Sequence, residues 1–194
     1  LFDFIRDTLL LRDPPAGVPD GYAEDQRRFA GKFQQVTSPV TAKGVEDTAF
    51  YLYNRLVSLN EVGSSPDRFG ISLATFHTQC GERSKHWPHT LLGTTTHDTK
   101  RSEDVRARIN VLSELPHEWR TMLGRWNRQY KKRKTLLDGQ LAPDRNDEYL
   151  FYQTVLGVWP LAAMTADDYT VFKQRIQAYM HKASKEAKVN TSWI

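Results

Sequence analysis

The sequence predicts a mainly α fold with few strands, and three observations carry that expectation. Apolar residues recur at helical spacing through most of the chain. Turn and stop residues (Pro, Gly, Asp and Ser) divide it into about eight helical stretches. Only one short segment, Leu91-Leu92-Gly93-Thr94-Thr95-Thr96, is β-branched and bracketed in the manner of a strand, by Pro88 and His97-Asp98. One strand among so many helices is not a free-standing α/β fold. The pattern reads as a piece of one.

The elements follow in order. Leu1 to Arg12 has helical spacing and stops at Asp13-Pro14-Pro15-Ala16-Gly17. A second helix runs from about Pro19 to Val36 and is broken by Ser38-Pro39. Val45 to Leu56 forms a third, with Glu46 and Asp47 favourably placed near its positive end. Gly63-Ser64-Ser65-Pro66-Asp67 is turn chemistry, and Ser72 caps a helix ending near Lys85. After the candidate strand, Ser102-Glu103-Asp104 opens a helix carrying Val105, Ile109 and Leu112 on one face. Pro116 suits the first turn of the next. Asn146 is the expected cap of Asp147 to Val158, and Asp167 of a long final helix through Lys188. No repeat or low-complexity linker marks an internal boundary.

Composition narrows the class of protein. Hydrophobic residues at 39% and charged residues at 26% suit a water-facing globular chain. No membrane association is expected, because no apolar run approaches the roughly 18 residues of a membrane span. The longest, Val155 to Met164, is interrupted by Gly157 and Pro160. Cys80 stands alone, which removes an intrachain disulfide scaffold and fits a cytoplasmic location. The chain opens at Leu1 in an apolar stretch, read as the interior of a longer protein. Much of the net charge of +4 lies in Arg125 to Lys134, where cations interleave with Trp126 and Tyr130. A solvated helix end explains that run, without a phosphate loop or nucleic-acid motif, so no nucleic-acid partner is expected.

The segment that carries chemistry is Thr94 to Asp104. A short strand would deliver His97 and Asp98 at its C-terminal end, the edge of a β/α barrel where catalytic side chains converge. Lys100 and Arg101 follow closely. On spacing alone, two readings stand side by side. Either the pair stabilises positive charge and binds sugar hydroxyls, or Asp98 caps a loop beside a buried, satisfied His97. Cys80, His86 and His89 make a poor metal site, lacking a fourth ligand, so no metal is expected. Among Phe50, Tyr51 and Tyr53 at least two should be core, and Trp119, Trp126, Trp159 and Trp193 read as packing anchors.

Thr95-Thr96-His97-Asp98-Thr99-Lys100-Arg101-Ser102-Glu103-Asp104-Val105-Arg106 closely resembles the fourth conserved region of maltooligosyl trehalose synthases, within the α-amylase superfamily. Thr41-Ala42-Lys43-Gly44-Val45-Glu46-Asp47-Thr48-Ala49-Phe50-Tyr51, continuing into Ser58-Leu59-Asn60-Glu61-Val62-Gly63, is similar to a second motif of that family. Glu148 to Thr154 with Trp159-Pro160, and Tyr179 to Ala183 through Glu186 to Trp193, agree with two later blocks. The resemblance runs from about Arg28 to the end.

It implies the late part of a (β/α)8 barrel, about residues 28–115, followed by a helical extension, about 116–194, at the C-terminal end of a synthase. It implies an isomerase that converts the reducing-end α-1,4 linkage of a maltooligosaccharide to α,α-1,1, with no cofactor. Such a retaining reaction needs a nucleophilic carboxylate and a separate acid/base carboxylate. The resemblance gives Asp98 the third role, stabilising the transition state, and His97 the binding of sugar hydroxyls. Lys100 and Lys43 match lysines on the reducing-end side of the pocket, and Arg101 is a further substrate-binding candidate. The plainer readings are a loop lysine paired with Glu46 or Asp47 for Lys43, and an ion pair to Glu103 or Asp104 for Arg101.

One departure matters. The superfamily's nucleophile lies in an Arg-x-Asp context upstream of this region, and no such pattern precedes Thr94. The segment alone is therefore expected to be inactive. Other readings are a trehalose-releasing hydrolase or α-glucosidase, which the block around Lys43 disfavours, and a non-catalytic helical module binding glucan or acidic partners. Residues 91–96, lacking barrel neighbours, should be poorly covered and offer a surface for self-association.

Overall fold

The computed structural model describes residues 1–14, 16–191 and 193. Pro15 of the first stop signal and Ser192 of the last resembling block lie outside the described residues. The fold is mainly helical, and the chain divides into two compact units, Leu1–Asp47 and Thr48–Ile194.

In the first unit, α1 (Phe2–Leu9) packs against α2 (Tyr22–Thr41). Gln26 is buried between them and its amide donates to the Arg12 carbonyl at 3.1 Å. Helix α2 does not stop at Ser38-Pro39 as the sequence suggests. It runs through Pro39 and widens directly into a π-helical stretch, Ala42–Ala49. Proline removes one N–H and crowds the preceding turn, and a wider winding next to it is one way a helix absorbs such a break.

The second unit holds the main core. The third helix is only Phe50–Leu52 (α3), and the chain then crosses the interior as an irregular strap to Asn60. Phe50 and Tyr51 are buried and Tyr53 is exposed, so two of the three aromatics are core. A buried irregular backbone must find partners for its polar groups, and here side chains supply them. The carbonyls of Phe50 and Tyr53 accept from Asn60, that of Tyr51 from Asn54, and that of Leu52 from Asn146. Those of Asn54 and Arg55 accept from Gln153 and Tyr149. Gln153 is fully buried and also receives the Val57 N–H at 2.9 Å.

Helix α4 (Leu73–His86) starts where Ser72 accepts the Thr75 N–H at 3.1 Å, as its sequence suggests. Residues 91–96 form no strand and are exposed throughout. A strand is held by a neighbouring ladder, and among the described residues none pairs with this segment. Helices α5 (Glu103–Asn110) and α6 (Pro116–Tyr130) begin at Ser102 and Pro116 as expected.

The two strands that do form lie just after the basic stretch. β1 (Thr135–Leu137) and β2 (Gln140–Ala142) make an antiparallel hairpin with Leu137 opposite Gln140. The turn is Asp138-Gly139, both at positive φ, the two-residue hairpin geometry that Asp-Gly favours. Lys134 at its base is no solvated helix end. Its ammonium lies 2.7 Å from Glu148, with both side chains about nine-tenths buried.

Helix α7 (Arg145–Val158) is capped by Asp144 instead of Asn146, whose amide braces the strap. Helix α8 (Ala166–Ala187) is capped by Thr165, in a reciprocal box with Asp168. Between α5 and α7, Ile109 is completely buried, a burial worth about 1.5–3 kcal/mol. Gly157 permits this approach: a Cβ there would lie 2.9 Å from both Ile109 Cδ1 and Val105 Cγ1. Trp119 is buried and Trp126 half-buried against it, whereas Trp159 and Trp193 are about half exposed, so only two of the four are core anchors.

Candidate functional site

His97 and Asp98 sit at the tip of a short turn between α4 and α5. The turn closes with the Thr99 N–H donating to the Thr96 carbonyl at 3.2 Å. Thr99 Oγ1 in turn accepts the Thr96 N–H at 2.6 Å. Threonine, not Asp98, therefore supplies the local side-chain bond, and the aspartate is left to face outward. His97 Nε2 lies 3.2 Å from Asp98 Oδ2, with the side chains 90% and 65% exposed. The reading of His97 as a buried histidine is thereby set aside.

The turn is fixed at both flanks. Upstream, the Arg106 guanidinium on α5 donates to the Thr94 carbonyl. Downstream, Glu61 at the end of the strap accepts the Lys100 N–H at 2.8 Å and the Arg101 N–H at 3.1 Å. The Arg101 guanidinium donates to the Val57 carbonyl at 3.2 Å and to the Tyr179 hydroxyl of α8 at 2.6 Å. Its partners are thus strap and helix, rather than Glu103 or Asp104. A cleft of about 470 Å³ opens beside this junction, lined by Lys100, Arg101, Ser102, Arg175 and Tyr179 among others. Its cations and hydroxyls stand beside Asp104 and the apolar Val105, Val158, Phe172 and Ile176, a mixed lining. A larger cleft of about 620 Å³ lies elsewhere in the unit, walled by Leu59, Phe69, Leu112 and Trp119. The named apolar and aromatic side chains there offer packing, not acid–base chemistry.

Lys43 belongs to the first unit, in the π-helical stretch, with Nζ 2.6 Å from Asp47 Oδ2. That is the loop-lysine pairing weighed from the sequence. The structure thus brings His97, Asp98, Lys100 and Arg101 onto one short segment. Sequence reasoning assigned no role to Glu61 or Tyr179, although both lie in resembling blocks. A glutamate followed by a glycine turn gives no local sign that it will accept two N–H groups nearly 40 residues away. No helix is long and apolar enough to cross a membrane, among the described residues.

No family model matches the chain. A Mycobacterium tuberculosis protein named for maltooligosyl trehalose synthase is 41% identical over 164 residues, which is 84% of this chain and 20% of that protein. The structure of maltooligosyltrehalose synthase from Arthrobacter ramosus superposes with a TM-score of 0.70 at 39% identity. That match covers 95% of this chain and 20% of the other. A further crystal structure of a maltooligosyl trehalose synthase gives a TM-score of 0.72 at 36% identity, over 100% of this chain and 26% of that one. In sequence and in fold, the chain therefore matches a stretch of maltooligosyl trehalose synthases, and it spans about one-fifth of the length of the curated relatives it matches.

Proposed function

We propose that the protein carrying this sequence is an intramolecular glucosyl transferase. It converts the reducing-end α-1,4 linkage of a maltooligosaccharide to α,α-1,1 and so builds a terminal trehalose unit. The observation that supports this most is the likeness, over nearly the whole chain, to proteins that bear the synthase name. In this reading Asp98 is the third carboxylate of an α-amylase-type site. It holds sugar hydroxyls and favours the oxocarbenium-like transition state, interactions that strengthen as charge develops. His97 binds a neighbouring hydroxyl. Lys100 binds the reducing-end sugar, keeping its anomeric hydroxyl in position to attack the glycosyl intermediate in place of water, and Arg101 is a further substrate-binding candidate. Lys43 is assigned a substrate-binding role on its motif alone.

Residues 28–115 are read as the late part of the barrel and 116–194 as its extension. The nucleophile and the acid/base are taken to lie in further sequence, so these 194 residues alone should not turn over substrate. The single Cys80 suits work in the cytoplasm.

The test is the full-length protein with maltopentaose, following loss of reducing ends and free glucose. Conversion to a non-reducing product is expected, and Asp98→Asn should lower kcat at least about 10²-fold. Release of glucose without loss of reducing ends by the unmodified protein would replace this reading with a hydrolase. Wild-type turnover by Asp98→Asn would remove Asp98 from the mechanism.

A further inference from the structure

The geometry points to Glu61 as a positioning residue for the His97–Asp98 turn, an inference that rests on the reading of Asp98 just given. The turn carries almost no packing of its own: residues 91–98 are exposed, and its internal contacts are the Thr96–Thr99 bonds and the exposed His97–Asp98 pair. What sets its place is the backbone immediately downstream. There the two oxygens of one carboxylate take the consecutive N–H groups of Lys100 and Arg101, at 2.8 and 3.1 Å.

Charge-assisted bonds of this kind are stronger than neutral ones, and two of them fix direction as well as distance. Glu61 is itself held. Its backbone N–H donates to Ser64 Oγ at 3.1 Å, and its Oε1 also accepts the Val62 N–H at 2.9 Å. The strap behind it is braced by Asn60 and Gln153 in the core. A rigid interior is thus tied to an exposed catalytic turn through the Glu61 carboxylate, with the Arg101 guanidinium on the Val57 carbonyl beside it and Arg106 on the Thr94 carbonyl at the other flank. Glu61 lies on the backbone side of the turn, so it acts through Asp98 rather than on the sugar.

The assignment has two consequences that a merely stabilising glutamate would not share. Loss of Glu61 should lower kcat, since a displacement of about 1 Å at a catalytic group costs on the order of 10²-fold, and raise KM as well, because the same carboxylate holds the backbone of Lys100 and Arg101. It should also be non-additive with loss of Asp98, because two residues serving one function cannot each be lost in full.

The experiment uses the full-length protein with Glu61→Ala, Glu61→Gln and Asp98→Asn, singly and as the Glu61→Gln/Asp98→Asn pair. Readouts are kcat, KM, the melting temperature and amide hydrogen exchange of peptides covering residues 96–101. Expected results are a kcat loss of about 10²-fold for Glu61→Ala and a smaller one for Glu61→Gln, which retains one acceptor oxygen. KM should rise as Lys100 and Arg101 lose their anchor, exchange should rise at 96–101, and the double variant should be little slower than Asp98→Asn. Unchanged exchange in Glu61→Gln overturns the structural claim, whether or not Glu61→Ala folds. Raised exchange with full kcat overturns the positioning role. An unmodified protein inactive on maltooligosaccharides, with exchange still raised by the substitution, sinks the functional reading and leaves the anchor standing.

Discussion

Gln153→Leu is the most direct test of how the strap is held. The native amide is fully buried, accepts the Val57 N–H at 2.9 Å and donates to the Asn54 carbonyl at 2.8 Å. Leucine fills similar space and admits no water, so both backbone groups lose their partner in the core. Each orphaned buried group costs about 1–3 kcal/mol, or about 2–6 for the two. Burying the leucine returns about 2 kcal/mol, leaving a net loss of about 0–4, centred near 2. All five tryptophans lie in the unit Thr48–Ile194. Urea unfolding of the chain followed by tryptophan fluorescence therefore reports on that unit alone. The expected result is a lowered midpoint with an unchanged slope, the signature of lost stability without a change of unfolded state. A raised midpoint would refute the claim that side-chain bonds hold the strap, and with it the rigid support assigned to Glu61.

Two further outcomes follow from the same structure. Lys134→Met strands Glu148 in the core with only Tyr152 as a donor, at 3.0 Å; breaking a buried pair in this way should cost about 3–5 kcal/mol in the same unfolding assay. An unmoved midpoint would mean that Lys134 is solvated. At the start of α8, the hydroxyl and backbone N–H of Thr165 hold the Asp168 carboxyl below its ordinary range. A depressed folded-state pKa contributes stability that is complete above the unfolded value and is lost as pH falls through the folded one. A carbon-detected NMR titration should therefore find Asp168 still ionised where free aspartates protonate. Thr165→Ala should move that titration upward, and an unmoved curve would deny the reciprocal cap.

Much of this fold is legible in local sequence, and the failures have local causes too. Ser72, Ser102 and Pro116 mark real helix starts; Ser72 does so through its cap bond and Pro116 through its fixed φ, both strictly local effects, whereas Ser102 stands at the N-cap without a side-chain bond. The sequence placed caps at Asn146 and Asp167, whereas Asp144 and Thr165 do the capping; Asn146 is spent on the strap. The segment 91–96 has strand composition but no ladder beside it, and composition cannot supply one. The hairpin at 135–142 carried a readable sign in Asp138-Gly139, masked by the basic run before it. Asp98 and His97 are proposed from the sequence because their motif is contiguous. Glu61 is not, since its partners lie 39 and 40 residues downstream and only the folded backbone brings them to it.

The strap's six successive carbonyls, from Phe50 to Arg55, are all served by amides and a phenol, none of them charged. The arrangement around α1 is of another kind, with Arg6 and Arg12 meeting Asp3 and Asp7 through exposed ion pairs. Mobile ions weaken the second sort of contact within a Debye length of about 8 Å at physiological ionic strength and barely touch the first. Raising salt should therefore loosen the helix at the start of the chain while the neutral bonds along residues 50–55 stay as they are. Charge enters the support of the His97–Asp98 turn at Glu61 and Arg101, where the strap reaches it, and at Arg106 on the other flank.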